Sequence, residues 1–393
     1  MSAPARDEVD TTVWREVGAP LVAATATGPL TGHTVAVKDL FAVAGHARGA
    51  GVGDYLAERA PEPRHATVVA VLLAAGADVT GIATTDEFAY SITGGNGRTG
   101  MPVNPAVPQR VPGGSSSGPA VAVARGEASI GLGTDTAGSI RVPGAYQGLW
   151  GIRTTHGSLD TTGLLPLAPS FDTIGWLARD AATLAAVADA VYAARPAAAD
   201  TGRLVVDPAL CAAAPSSAEQ CLWAARELGA VPVALGAELD RWFGAFRTVQ
   251  AYEAWAAHGD WIVAHPGALE PEVADRFGWA ATVTAEGAAA ARNLLARASA
   301  RITDVVGDGV LLLPTTAGPP PYRDADARTR DAARTATLRL TCLAAIAGLP
   351  AVTVPLPRRD GLPVGLCLLG AAHTDRALIG LAARCAPALT GSA

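Results

Sequence analysis

A single lysine, Lys38, stands against twenty-nine arginines in this 393-residue chain, and it sits inside the apolar run 34–41. Arginine keeps its proton at working pH, whereas lysine gives it up when desolvated. A lysine in a strand-like hydrophobic segment is therefore a candidate neutral amine acting as a base. The competing reading is an exposed strand end whose ammonium snorkels to water. Codon bias from a GC-rich genome accounts for part of the lysine scarcity, so rarity alone proves little.

Two small-residue segments supply candidate nucleophiles. The first is Gly113, Gly114, Ser115, Ser116, Ser117 and Gly118; the second runs from Gly133 through Asp135, Thr136, Ala137, Gly138 and Ser139 to Arg141 and Pro143. Residues 136–138 are small, so their N–H groups can converge on one point. An oxyanion hole needs that, and each donor contributes roughly 2.7–4 kcal/mol in the transition state. A serine at the end of the turn is placed to attack a carbonyl held there. Asp135 and Arg141 are expected to pair and brace the turn. A Gly/Ser cluster by itself also fits an ordinary flexible turn.

Two other motifs fall short. Residues 114–118 match the G-x-S-x-G nucleophile elbow, but that elbow follows a strand directly, and residues 110–113 make a poor one. None of His156, His258, His265 and His373 lies in a recognisable triad context. A phosphate loop would need a Gly-Lys-Ser/Thr sequence, which does not occur.

The elements that must position these residues alternate in type. Strands are expected at 33–43, 78–82, 128–133, 310–314, 351–355 and 364–369, and helices at 66–75, 119–125 and 181–194. Residues 84–118 form a long Gly/Ser/Asn/Pro/Thr-rich loop, a length that in a compact domain is usually functional. Residues 216–306 read as largely helical and carry five of the eight tryptophans. The apolar stretch 343–357 reads as buried strand and turn. Alternating strands and helices point to an α/β layered fold.

Composition narrows the function classes. Half the residues are hydrophobic, 17% are charged and the net charge is −6, which places the chain among globular proteins and argues against a nucleic-acid binder. Five scattered cysteines without a C-x-x-C pair give neither a disulfide framework nor a zinc site, so no metal is expected. No secretory h-region and no spanning segment is read, so a cytoplasmic protein without membrane partners is expected.

The run 113–143 resembles the signature of the amidase signature family, in its Gly-Gly-Ser-Ser-x-Gly opening, its Gly-x-Gly-x-Asp-x-x-Gly-Ser-x-Arg-x-Pro close and the spacing between Ser115 and Ser139. Residues 35–39 are similar to the family's lysine strand, and 311–315 and 348–351 to two later segments. The likeness covers 30–180 and 308–370. Within the family, residues 86–92, 104–118 and 170–176 are nearest to indole-3-acetamide hydrolases.

The resemblance implies a single-domain α/β/α layered fold with a central mixed β-sheet covered by helices. Its core would be about 30–180 and 308–390, and a mostly helical insertion at about 200–308 would shape the pocket. It implies Ser139 as nucleophile, Ser115 as a relay serine in a cis peptide and Lys38 as base. The oxyanion hole would be the N–H groups of Thr136, Ala137, Gly138 and Ser139, supported by Ser116, Ser117, Asp135 and Arg141. Phe88 and Gly114 would belong to the substrate pocket. The substrate expected is a small carboxylic amide, of the arylacetamide or indole-3-acetamide kind, hydrolysed through an acyl-enzyme without a cofactor, and a homodimer is left open. Alternatives are a biosynthetic amidase or acyl-transfer enzyme, the glutaminase subunit of a tRNA-dependent amidotransferase, and a non-catalytic interaction module.

Overall fold

The computed structural model describes residues 9–193 and 202–390. The expectation of no leader at residues 1–8 and the last residue of the helix expected at 181–194 lie outside them. Eleven strands form one mixed sheet. They are Trp14–Val22 (β1), Thr34–Lys38 (β2), Asp78–Ala83 (β3), Ile130–Thr134 (β4), Trp150–Arg153 (β5), Ile174–Ala178 (β6), Leu204–Val206 (β7), Val231–Pro232 (β8), Val310–Pro314 (β9), Ala351–Arg359 (β10) and Leu362–Gly370 (β11). Their spatial order is β1-β3-β2-β4-β6-β5-β10-β11-β9-β7-β8. β2 runs parallel to both β3 and β4, and β9 parallel to β7, whereas β4, β6, β5, β10, β11 and β9 pair antiparallel in that sequence.

Strand side chains alternate between faces. In β9, Val310 and Leu312 join one core with the helices Thr67–Ala74, Ala181–Val191 and Asp375–Thr390. Leu311 and Leu313 join the other, with the helices Leu239–Ala264, Ala285–Val306 and Ala327–Ala347. Helices thus cover both faces of the sheet.

Two expectations change, and β1, β5 and β6 are strands that were not expected. The segment before Lys38 carries an edge strand, β1, registered antiparallel on β3. The stretch 343–357 is not strand throughout: residues up to Ala347 end the helix Ala327–Ala347, Gly348 caps it at φ 66°, and the strand starts at Ala351. A short apolar run carries no periodicity that separates buried helix from buried strand. Finally, the region after 200 is not helical from its start: β7 and β8, with the helices Pro208–Ala212 and Ala218–Glu227 between them, extend the sheet beyond β9.

Candidate active site

Lys38 ends β2, and at period two it shares a face with Ala36. Ala36 packs in one cluster with Val121 and Ala122 of the helix Ser117–Arg125. The lysine side chain therefore runs beneath the start of that helix, fully buried at 0% exposure. Its Nζ lies 2.8 Å from Ser115 Oγ, 3.1 Å from Ser116 Oγ and 2.8 Å from Thr134 Oγ1. Ser116 donates its own hydrogen to the Thr134 carbonyl at 3.3 Å, so it accepts from the amine. A neutral amine has two hydrogens and one lone pair. Donating to Ser116 and Thr134 leaves the lone pair for the Ser115 hydroxyl. Burial pulls the Lys38 amine down from 10.5 to about 7, against the opposing pull of Asp86, Asp135 and Asp172.

The loop before the helix is packed without slack. The Gly114–Ser115 peptide is cis. Thr85 Oγ1 donates to the Ser115 carbonyl at 2.8 Å. A Cβ at Gly114 would meet Asp86 Oδ1 at 2.6 Å, and one at Gly133 would meet Ser116 Oγ at 2.5 Å. Glycine at these positions is what allows β4 and the Asp86 loop to close on the serines. Ser117 points away from the lysine and donates to Asp86 at 3.4 Å.

The second turn is organised around a buried carboxylate. Arg141 forks onto Asp135, with Nε to Oδ2 at 2.9 Å and Nη2 to Oδ1 at 2.8 Å. Arg153, equally buried, lies 3.5 Å from Asp135 Oδ1. Burial alone would raise the Asp135 carboxyl, but the Arg141 and Arg153 guanidiniums hold it well below the usual carboxylate range. Gly138 donates its N–H to Asp135 Oδ1 at 2.7 Å. That amide is therefore occupied, which corrects the expected four-donor oxyanion hole. The N–H groups of Thr136, Ala137 and Ser139 have no acceptor among the described residues, and neither does the Ser139 hydroxyl.

Asp172 fixes the outer side of the turn, accepting from Thr136 Oγ1 at 2.6 Å and from the Leu167 and Ala168 amides at 2.8 and 2.9 Å. Thr134 and Asp172 were not read as site residues. Their side-chain roles depend on strand pairing and on a loop thirty-six positions away, so spacing gave no signal.

A narrow pocket opens at Ser139, walled by Tyr90, Ile92, Leu167, Leu338, Gln250 and Arg334. Tyr90, Gln250 and Arg334 also line a cleft of about 270 Å³ that continues outward. Phe88 is not on the walls: it is 1% exposed and stacks on His258 at 4.3 Å, with Tyr55, Trp261 and Phe277 around it. It supports the pocket from behind, and its φ of 46° turns the chain so that Ala89 and Tyr90 face inward. Of the tryptophans in residues 216–306, Trp279 lines the cleft. Trp242 is core, Trp261 packs on Tyr55 and Phe88, and Trp223 and Trp255 lie against the margins of the two cores. The described residues hold no cluster of His, Cys, Asp and Glu suited to a metal ion.

A buried amine on serine hydroxyls, beside a turn of free amides, brings together groups that can serve acyl transfer at a carbonyl. Comparison with known proteins identifies the family. The family model described as Amidase matches residues 17–221. Amidase 1 of Arabidopsis thaliana is 33% identical over 392 residues, covering 90% of this chain and 92% of the plant protein. The 2-amino-5-chloromuconic acid deaminase of Comamonas testosteroni is 35% identical over 382 residues, with 90% and 81% covered. A crystal structure of an amidase superposes with a TM-score of 0.82 at 28% identity, over 93% of this chain and 86% of that one. The chain belongs to the amidase family. It is an amide-hydrolysing enzyme of the amidase-signature class.

Proposed function

We propose that the protein hydrolyses a small carboxylic amide to acid and ammonia through Ser139, Ser115 and Lys38. Neutral Lys38 accepts the Ser115 proton, and Ser115 in turn takes the proton of Ser139 as Ser139 Oγ attacks the amide carbon. The negative charge that develops on the carbonyl oxygen is met by the N–H groups of Thr136, Ala137 and Ser139. The proton passes back along the two hydroxyls to the leaving nitrogen, and ammonia departs from the acyl-enzyme. Water then attacks the ester, giving up its proton to the same chain, and the free acid leaves Ser139 restored.

The observation that carries this reading is the buried Lys38 amine held on Ser115 at 2.8 Å, next to a turn with three amides that no acceptor among the described residues uses. An aryl acyl group of the arylacetamide kind would rest against Tyr90, Ile92, Leu167 and Leu338. The test is ammonia release from a panel of arylacetamides, aliphatic amides, dicarboxylic monoamides and carbamoyl compounds. Ser139→Ala is expected to abolish release from every member that the native chain hydrolyses. Undiminished release from the variant removes the assignment.

A further inference from the structure

The pocket at Ser139 is not uniformly apolar. Its outer wall holds Gln250, 6% exposed, whose side-chain amide makes no hydrogen bond to the described protein. Beside it lies Arg334, whose side chain is 12% exposed. Arg334 Nε is buried without a partner, and the nearest acid, Asp331, stands 3.7 Å from Nη1 on a side chain 69% exposed.

Arg276 and Arg247 line the same cleft. Arg276 is committed to the Tyr90 carbonyl at 3.0 Å and to Glu272 at 3.5 Å; Arg247 lies over the Trp279 ring at 4.9 Å. Burial first, then the neighbouring Arg276 and Arg247 charges, pulls the Arg334 guanidinium down to about 9. The acids of the cleft sit at its rim. Glu272 also binds Arg330 at 2.6 Å, and Asp275 is exposed. Arg334 and Arg276 are thus the deep positive groups of the cleft, whereas Arg247 and the acids are exposed toward its outside.

Guanidiniums gathered in a buried place repel one another, and a buried N–H without an acceptor is costly. A carboxylate relieves both, because its two oxygens match the planar fork of arginine. Arg334 reaches both the Ser139 pocket and the cleft, so an anion bound there lies within one small molecule of the reacting carbon. We infer that the substrate is an amide acid, its carboxylate received by Arg334 and Gln250 while its amide carbon lies at Ser139. This rests on the Ser139 reading above and adds to it the chemical class of the substrate. The Comamonas relative's name, a deaminase of a muconic acid, is consistent with an acidic substrate.

The probes are succinamate and its neutral isostere 4-methylpentanamide. The native chain is expected to favour succinamate by at least about ten-fold in kcat/KM. Arg334→Leu is expected to lower that ratio by about 10- to 100-fold, the usual range for a hydrogen bond to a charged group. Arg334→Lys restores part of it, and Arg241→Gln, an exposed change outside the cleft, leaves it unmoved. Equal values for the two amides in the native chain overturn the inference, and so does a ratio that Arg334→Leu does not change.

Binding keeps the two readings apart. Succinate is titrated calorimetrically into Ser139→Ala and into the same protein carrying Arg334→Leu. Binding weakened at least ten-fold by the second change supports the anion site even where no amide is turned over. Equal binding, or none to either protein, removes the anion site and leaves Ser139 hydrolysis standing.

Discussion

The role proposed for Lys38 belongs to the scale of a single nitrogen. Its neighbours are hydroxyls rather than carboxylates, so burial has no direct ion pair to overcome and the amine falls to about 7. A base must be neutral, so kcat/KM is expected to rise with unit slope as pH increases toward about 7 and then level off. A profile flat from pH 5 to 9 would rule out Lys38 as the titrating base. Lys38→Ala is expected to cost several orders of magnitude in kcat, and Lys38→Arg to restore nothing, since a guanidinium does not deprotonate. Asp135 makes the opposite demand on its surroundings. It stays ionised because Arg141 and Arg153 enclose it, and it also holds the Gly138 amide. Asp135→Asn leaves two buried guanidiniums short of their counter-charge. A loss of about 3–5 kcal/mol in unfolding free energy is expected by chemical denaturation.

At the scale of elements, the site depends on how closely β4 approaches the helix Ser117–Arg125. Gly131 and Gly133 of β4 both face it: a Cβ at Gly131 would meet the Pro119 carbonyl at 2.8 Å, and one at Gly133 would meet Ser116 Oγ at 2.5 Å. Gly133→Ala is expected to displace Ser116, loosen its bond to Lys38 and lower kcat, with a stability loss of about 1–3 kcal/mol. A variant with native kcat would show that Ser116 does not help hold the amine. The loops are tied in a similar way. Asp172 joins the Thr136 turn to the Leu167 and Ala168 amides, so one side chain sets both the donor turn and a pocket wall. Asp172→Ala is expected to reduce kcat more than it raises KM, because donors aimed at the oxyanion act in the transition state.

The whole molecule is closed by a contact far from the chemistry. Asp375, at the start of the helix Asp375–Thr390, accepts from the Thr155 amide and hydroxyl at 2.7 Å each and from the Tyr192 hydroxyl at 3.0 Å. It pins the end of the chain to the connection after β5. Asp375→Ala leaves the buried Thr155 amide and hydroxyl without their acceptor and is expected to cost about 2–4 kcal/mol of stability, seen in the denaturation midpoint, with kcat of the folded protein unchanged. Across the same distances the sequence was readable in some places and silent in others. Lys38, the serine loop and the 133–143 turn were legible because each is a compact run of residue types with one chemical use. The strands β2, β3, β4, β9, β10 and β11 followed from apolar runs, whereas β1 and the short β5, β6, β7 and β8 were not read. The helix Ala327–Ala347 was half hidden, since its last turns merge into the apolar residues of the strand that follows.

The order of residues within each short segment fixed which groups could act as amine, hydroxyl and backbone donor, since those are properties of neighbours along the chain. Only the folded arrangement decided which of them meet. It brought Thr134 to Lys38, occupied the Gly138 amide with Asp135, withdrew Phe88 behind the pocket and set Arg334 and Gln250 at its mouth. Those partners lie between three and nearly two hundred residues apart, and sheet register and helix packing, which depend on the whole sequence at once, determine such distances.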